Sequence, residues 1–296
     1  MMLRYVKKNI TKIVQLRREY MSSYRENAFD IIVVAGQSNA EGNGACGPDR
    51  KYHNADVYQM TDDSLTVYGY GLMDYKKKKS FKIKHAQLRK TNFNIASGFA
   101  EPFADKYIAG GYLERGRKVL IIKAAVGGAG FSLKQWGIGN PLHNRLCDMI
   151  DYALSLNARN RLVAILWHQG EHDTFEQAEL NPAARFGFYY KNLKATVEDI
   201  RERYNALELP FIAGEMADSW ANAYKEAADA VENATAQVCK EVGCAAMVSS
   251  EGLLSNAQAI AGSTDTAHFC DKSVAELADR YFIAFKKTVN NIPRAD

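Results

Sequence analysis

The chain has 296 residues, of which 47% are hydrophobic and 24% are charged, and its formal net charge is +4. This composition is ordinary for a globular protein with a full hydrophobic core. It excludes a protein that binds nucleic acid through overall charge, and no apolar run approaches the ~20 residues of a transmembrane helix. The five cysteines are scattered and never spaced as C-x-x-C, so we expect reduced thiols in a cytoplasmic protein.

Residues 1–28 form a basic segment with apolar residues at helical spacing. Leu3, Val6, Ile10 and Ile13 recur every three or four residues, and seven lysines and arginines are accompanied by only two glutamates. The pattern predicts an amphipathic N-terminal helix, which either contacts an anionic membrane surface or packs on the following domain. The segment lacks the continuous apolar stretch and the cleavage site of a secretory signal.

Residues 29–296 alternate between strand and helix patterns and are predicted to form one domain. Five apolar runs are typical of strands buried on both faces, at 31–34, 119–122, 162–167, 211–214 and 245–248, with a weaker pattern at 55–60. Helical patterns lie between them at 97–110, from Pro141 onward, at 182–204 and at 221–242. Ser273 and Glu276 resemble a capping box that opens a last helix. This order predicts a three-layer α/β/α sandwich with about five parallel strands.

Residues 61–95 show no clear periodicity, and we predict that they are irregular. The stretch is rich in lysine, with aromatic residues and a histidine between the lysines; the lysines are Lys76, Lys77, Lys78, Lys79, Lys82 and Lys84. It is either a solvated loop or a basic loop that steers an anionic polymer toward the functional site.

The loops that follow three of the predicted strands contain glycine, and they lie at 36–39, 127–130 and 168–173. Because the carboxyl ends of parallel strands meet at one edge of a sheet, these loops are expected to converge on one site. Ser38 in the first loop is the candidate nucleophile, and His268 near the C-terminus is its candidate general base. Asp265, three residues before the histidine, is placed to orient the imidazole ring.

Attack on an acyl carbonyl also needs hydrogen-bond donors at the position where the oxyanion develops. The candidates are the backbone N–H of Ser38, the N–H of Gly127 or Gly128, and the side-chain amide of Gln169. Glycine suits such a position because no side chain blocks the approach of the substrate.

Four sequence blocks resemble those of the SGNH-hydrolase superfamily, in particular its sialic acid O-acetylesterase and carbohydrate esterase family 6 branch. The blocks are Gly36-Gln37-Ser38-Asn39, Gly127-Gly128 followed by Trp136, Trp167-His168-Gln169-Gly170-Glu171, and Asp265-x-x-His268-Phe269. The resemblance extends over about residues 29–290 and implies a flavodoxin-like fold that deacetylates O-acetylated sugars without a metal or another cofactor. It implies a catalytic triad of Ser38, Asp265 and His268, and an oxyanion hole lined by glycine and Gln169. Ala129 departs from the pattern, which usually has Thr or Ser there.

Other interpretations remain open at this stage. His168-Gln169-Gly170-Glu171-His172 has the H-x-x-E-H spacing of one class of zinc peptidases, but that motif requires a helix, and this stretch follows a strand pattern and contains Gly170. We expect Glu171 to bind substrate or to brace the triad, with Gln37 and Asn39 as further substrate-binding candidates. An O-acetyltransferase would use the same acyl-enzyme, and a sugar-binding module with an inactive site would share the fold.

Overall fold

The computed structural model describes residues 26–46, 49–69, 72–75, 79–90, 95–175 and 180–290. Most of the predicted N-terminal helix, up to residue 25, and the lysines at 76–78 lie outside the described residues. In the part of the chain that is described, no helix combines the length and the apolar character needed to cross a bilayer.

The described residues form twelve strands and nine helices. The strands are β1 (Ala28–Gly36), β2 (Gly44–Cys46), β3 (Val57–Asp62), β4 (Leu65–Gly69), β5 (Leu72–Tyr75), β6 (Phe81–His85), β7 (Arg89–Lys90), β8 (Ile95–Ser97), β9 (Arg117–Lys123), β10 (Arg161–His168), β11 (Phe211–Gly214) and β12 (Ala245–Val248). The helices are α1 (Ser38–Glu41), α2 (Ala100–Ala109), α3 (Pro141–Leu156), α4 (Glu171–Phe175), α5 (Pro182–Arg203), α6 (Asp218–Ala223), α7 (Lys225–Glu241), α8 (Asn256–Ala259) and α9 (Asp271–Asn290).

A seven-stranded sheet with the order β12-β11-β10-β1-β9-β3-β6 forms the centre of the described fold. Neighbouring strands from β12 to β3 pair in parallel, and β6 adds an antiparallel edge. The five predicted strands are β1, β9, β10, β11 and β12, and the weaker pattern at 55–60 corresponds to β3. The predicted parallel α/β/α architecture is therefore confirmed, with six parallel strands.

Strand β1 lies at the middle of the sheet, and every residue in it is buried. Its side chains alternate between two hydrophobic clusters, as the period of a strand requires. Ile31 and Val33 pack with α3, α5 and α7 on one face of the sheet, whereas Ile32 and Val34 pack with α2 and α9 on the other. Helices therefore cover both faces, which explains why the run from Ile31 to Ala35 is apolar throughout rather than alternating.

The prediction that residues 61–95 are irregular is wrong for the part that is described. Strands β4 and β5 pair with each other, β6 pairs antiparallel with β3, and β7 pairs with β8 in a small sheet that also contains β2. In β6 the lysines alternate with apolar residues, and Ile83 is buried. This period of two indicates a strand, which the high lysine content obscured.

Two helix predictions also need correction. The pattern at 221–242 contains two helices, α6 and α7, which meet at Tyr224. The last helix begins at Asp271, so Ser273 lies inside it and its hydroxyl accepts the Leu254 N–H at 2.7 Å instead of capping the helix. A capping box does occur at α8, where Ser255 and Gln258 exchange the two hydrogen bonds.

Candidate active site

The end of β1 places Ser38 at the carboxyl edge of the sheet. Gly36 has a φ of +132°, and a Cβ there would lie 2.0 Å from the His168 carbonyl oxygen of the neighbouring strand, so no larger residue fits. The Gln37 N–H donates to that same oxygen at 2.9 Å, and helix α1 then begins at Ser38. The chain thus turns sharply where it leaves the sheet, and the serine occupies the first helical position.

The loop before α9 holds the second part of the predicted triad. The Nδ1 atom of His268 lies 2.8 Å from Oδ2 of Asp265, and the other oxygen of Asp265 accepts the backbone N–H groups of Ala267 and His268 at 3.2 and 3.1 Å. Burial raises the pKa of Asp265, but these hydrogen bonds and the nearby imidazole outweigh burial and hold the pKa below its usual value. An ionised Asp265 fixes a ring orientation in which Nδ1 carries the proton and Nε2 is the basic atom.

Asn39 joins the serine loop to the histidine loop. Its side-chain nitrogen donates to the Ala267 carbonyl oxygen at 2.9 Å and to Oε1 of Glu171 at 2.6 Å, and its oxygen accepts the Phe269 N–H at 3.3 Å. The backbone on both sides of His268 is therefore tied to the residue that follows Ser38. Asn39 is 5% exposed and does not line the cavity described next, so it positions the loops instead of contacting substrate.

Ser38 and His268 line one cavity of about 640 Å³ at this edge of the sheet. Of the predicted site residues, the cavity also contains Gln37, Gly127, Gly128 and Glu171. The three loops and the C-terminal histidine loop therefore converge, as expected from parallel strands. The remaining lining residues are Glu41, Asn43, Arg89, His172, Phe175, Trp220, Tyr224 and Ala267.

The candidate oxyanion donors differ in their availability. Gly127 N–H donates to Oε2 of Glu41 at 3.1 Å, so this donor already has an acceptor. The N–H groups of Ser38 and Gly128 have no acceptor among the described residues, and Ser38 N–H belongs to the first turn of α1, where no intrahelical partner exists. These two groups are the best placed to receive a developing oxyanion.

Gln169 does not line the cavity, which corrects the expectation that its amide donates to the oxyanion. The side chain is 3% exposed, and its nitrogen contacts Oε1 of Gln37 at 3.2 Å, the Ala129 carbonyl oxygen at 3.1 Å and Oδ2 of Asp173 at 2.7 Å. Its oxygen accepts the Tyr189 hydroxyl at 2.8 Å. All of its hydrogen-bonding capacity is used inside the protein, where it supports Gln37.

Glu171 is 2% exposed yet reaches the cavity wall. Oε1 accepts the Asn39 amide, and Oε2 is buried without a hydrogen-bond partner among the described residues. Burial raises the pKa of this carboxyl, while its hydrogen bonds and the charge of His268 oppose the shift. Glu171 therefore braces Asn39 at the wall of the cavity.

The H-x-x-E-H stretch does not lie on one helical face. His168 is the last residue of β10, and helix α4 begins at Glu171. Burial lowers the pKa of His168 to about 3, so its ring is neutral, and Nδ1 lies 3.0 Å from the Tyr281 hydroxyl. The zinc-peptidase geometry is therefore missing here, and the one His/Cys/Asp/Glu cluster with metal-like spacing in the described residues is elsewhere, at His143, Cys147 and Asp199.

Sequence reasoning missed two walls of the cavity. One is aromatic: Phe175 and Tyr224 pack around Trp220, with ring centroids 6.1 and 4.6 Å from the indole. The other is polar, and consists of Glu41, Asn43 and Arg89. The Arg89 guanidinium forms an ion pair with Glu41 at 2.9 Å and donates to the Asn43 oxygen. Arg89 and Trp220 lie far in sequence from every motif, so no local pattern marked them.

Comparisons with known proteins agree with this geometry. The family model described as "Carbohydrate esterase, sialic acid-specific acetylesterase" matches residues 28–287. Among solved structures, that of NanS is similar at a TM-score of 0.68 with 18% identity, and the alignment covers 90% of this chain and 98% of that chain. A protein from Arabidopsis thaliana has a TM-score of 0.60 with 16% identity, covering 89% and 99%.

A carbohydrate acetylesterase from Xanthomonas citri is also similar, with a TM-score of 0.54 and 14% identity, over 88% of this chain and 57% of that chain. No curated protein sequence matches. At these identities the solved structures establish the fold, whereas the family model covers most of the chain and confirms the resemblance in the four sequence blocks. The chain belongs to the carbohydrate esterase family of sialic acid-specific acetylesterases, which are carboxylic ester hydrolases.

Proposed function

We propose that this protein is a serine esterase that removes O-acetyl groups from a carbohydrate through an acetyl-enzyme. The observation that carries the proposal is the arrangement of three residues. Ser38 and His268 line one cavity, and Nδ1 of His268 lies 2.8 Å from Oδ2 of Asp265. A hydroxyl, an imidazole and an orienting carboxylate in this order are the parts that nucleophilic acyl transfer requires.

The proposed reaction has two stages. Ser38 Oγ attacks the acetyl carbonyl carbon and transfers its proton to Nε2 of His268, while the N–H groups of Ser38 and Gly128 bind the oxyanion. The C–O bond to the sugar then breaks, and the sugar oxygen leaves with the proton from Nε2. Water attacks the acetyl-serine with the same imidazole as base, which releases acetate and restores the serine.

The aromatic wall supports a sugar as the leaving group. Phe175 and Tyr224 are each 38% exposed, and together with Trp220 they line the cavity. The C–H faces of a pyranose ring are apolar and pack well on aromatic rings, while its hydroxyls need polar partners. Glu171, Asn43 and Arg89 line the same cavity and supply polar side chains for such contacts.

The acetyl-enzyme provides the direct test. The wild-type protein is incubated with an O-acetylated sugar, quenched in acid, digested and analysed by mass spectrometry for an acetyl group on Ser38. Ser38→Ala should abolish both the adduct and acetate release, whereas Ser155→Ala, which removes an exposed hydroxyl bonded to the Tyr152 carbonyl oxygen, should leave both intact. Acetate release by Ser38→Ala at the wild-type rate would refute the proposal.

The same assay separates hydrolysis from transfer. Free acetate and acetylated product are both quantified with and without an unacetylated acceptor sugar. We expect acetate to account for the substrate consumed in either case. If acetylated acceptor forms instead and acetate does not, the protein is an O-acetyltransferase that uses the same acyl-enzyme.

A further inference from the structure

A second cavity, of about 380 Å³, adjoins the active-site cavity. The two cavities share Glu41 and Arg89 as lining residues. They also lie along one loop, since residues 125 and 126 line the second cavity and residues 127 and 128 line the first. The two cavities are therefore neighbours that meet at the ion pair of Glu41 and Arg89.

The second cavity is basic. Five cationic side chains line it, against the two carboxylates Glu41 and Asp62; the cations are Lys84, Arg89, Lys90, Lys123 and Arg145. Lys123 pairs with the buried Glu101, and Arg145 pairs with Asp62 at 3.2 Å. Lys84 and Lys90 have no carboxylate partner among the described residues, so the cavity keeps an excess of positive charge.

Arg145 supplies an independent sign of a ligand. It is 6% exposed, and its Nη1 atom is buried without a hydrogen-bond partner in the described part of the chain. Buried polar groups in native proteins are nearly always paired, because an unpaired donor loses its hydration without compensation. The unpaired nitrogen of an arginine that lines a cavity is a donor for an anionic ligand. The planar guanidinium is especially suited to bind a carboxylate.

We infer that the second cavity binds the carboxylate of a sugar unit that neighbours the acetylated unit. The substrate class is then an O-acetylated acidic oligosaccharide or polysaccharide, with the acetyl ester at Ser38 and the carboxylate at Arg145, Lys84 and Lys90. This inference rests on the proposed esterase function and adds the charge and the minimum length of the substrate.

The test uses two matched substrates. One is a trisaccharide of a carboxylated sugar that is O-acetylated on one unit, and the other is the same trisaccharide with only the carboxylates of the unacetylated units converted to the neutral carboxamide. The wild-type protein should have a kcat/KM at least about 10-fold higher on the fully acidic trisaccharide, as charged hydrogen bonds in a partly buried site imply. Arg145→Gln should reduce the ratio to near 1.

Two further variants complete the experiment. Lys84→Ala combined with Lys90→Ala changes only partly or fully exposed side chains, so it tests the cavity even if Arg145→Gln fails to fold, and it should reduce the ratio at least about threefold. Lys79→Ala is the control, because it removes a positive charge outside the cavity, at an exposed pair with Asp148, and should leave the ratio unchanged.

The outcomes distinguish the two proposals. Equal kcat/KM on the two trisaccharides, with acetate released from both, overturns the anion site and leaves the esterase intact. A wild-type preference that persists in both the Arg145 and the double lysine variants also overturns it. The esterase function itself is overturned if the protein releases acetate from neither trisaccharide and also fails to release it from a simple aryl acetate.

Discussion

Asn39→Asp provides a sharp test of how the site is held together. The substitution preserves the size of the side chain but replaces its N–H donors by an acceptor. In the structure those donors reach Oε1 of Glu171 at 2.6 Å and the Ala267 carbonyl oxygen at 2.9 Å. The aspartate therefore faces two acceptors, one of them a carboxylate, inside a region where Asn39 is 5% exposed.

The expected loss of stability follows from these contacts. Leaving a buried acceptor unsatisfied costs about 1–3 kcal/mol, and two acceptors are affected, so the free energy of unfolding should fall by about 4 kcal/mol at pH 7. Acidification protonates one of the two facing carboxyls and restores one donor. The deficit should therefore shrink by about half between pH 7 and pH 4.5, relative to the wild-type protein at each pH.

Urea denaturation at the two pH values measures both quantities. Asn144→Asp is the matched control, since Asn144 is exposed and its side-chain nitrogen donates to the nearby Gly139 carbonyl oxygen at 2.8 Å. Its free energy of unfolding should stay within about 0.5 kcal/mol of the wild type. An Asn39→Asp protein that is as stable as the wild type at pH 7, or whose deficit does not depend on pH, would show that Asn39 does not join the two loops.

The remaining predictions concern the triad, Gln169 and a buried carboxyl. Asp265→Asn should lower kcat by up to about 10⁴-fold in a steady-state acetate assay, because the imidazole loses its fixed tautomer; a loss below tenfold would remove Asp265 from the triad. Gln169→Ala should lower the free energy of unfolding by about 3 kcal/mol. The kcat of the variant protein that remains folded should fall by less than the roughly 10²–10³-fold expected if Gln169 were an oxyanion donor. Burial, opposed by the Met216 N–H and assisted by nearby carboxylates, raises the pKa of Glu232 to about 7. Because the folded state keeps a proton on Glu232 that the unfolded state has already lost, the contribution of Glu232 to the free energy of unfolding should fall as pH rises from about 4.5 to 7, by at most about 3 kcal/mol. In urea denaturation, Glu232→Gln should therefore gain stability relative to the wild type as pH rises over this range, and the exposed Glu226→Gln should not.

The fold and the convergence of the motifs could be predicted from the sequence, because both follow from the local pattern of apolar residues along the chain. The apolar runs of β1, β9 and β10 identify strands covered on both faces, and parallel strands end at one edge. This reasoning needs no knowledge of the helix positions. The structure adds the strand order: β9 and β10 are the direct neighbours of β1, so Ser38 lies beside the loops that follow both of them.

The sequence was insufficient wherever a contact depends on a particular tertiary approach. Arg89 enters the site because the small sheet of β2, β8 and β7 brings it to Glu41, and neither the pairing nor the approach has a local signal. The assignment of Gln169 failed for a similar reason. Its position after β10 is correct, but the direction of its amide depends on Asp173 in the same loop and on Tyr189 and Ala129, which come from two other segments.

The motif residues divide into those that reach the cavity and those that hold them. Ser38, Gly128 and His268 line the cavity, whereas Asn39 and Gln169 are buried and do not line it. Asn39 donates to the Ala267 carbonyl oxygen beside His268, and Gln169 donates to the Gln37 side chain beside Ser38. A catalytic constellation is precise only when its supporting groups are themselves fixed by packing and hydrogen bonds. Asn39 directly follows Ser38, so the amide that fixes this loop comes from within the loop. A sequence block such as Gly36-Gln37-Ser38-Asn39 is therefore informative because it contains both the proposed nucleophile and the amide that ties its loop to the loop of the proposed general base.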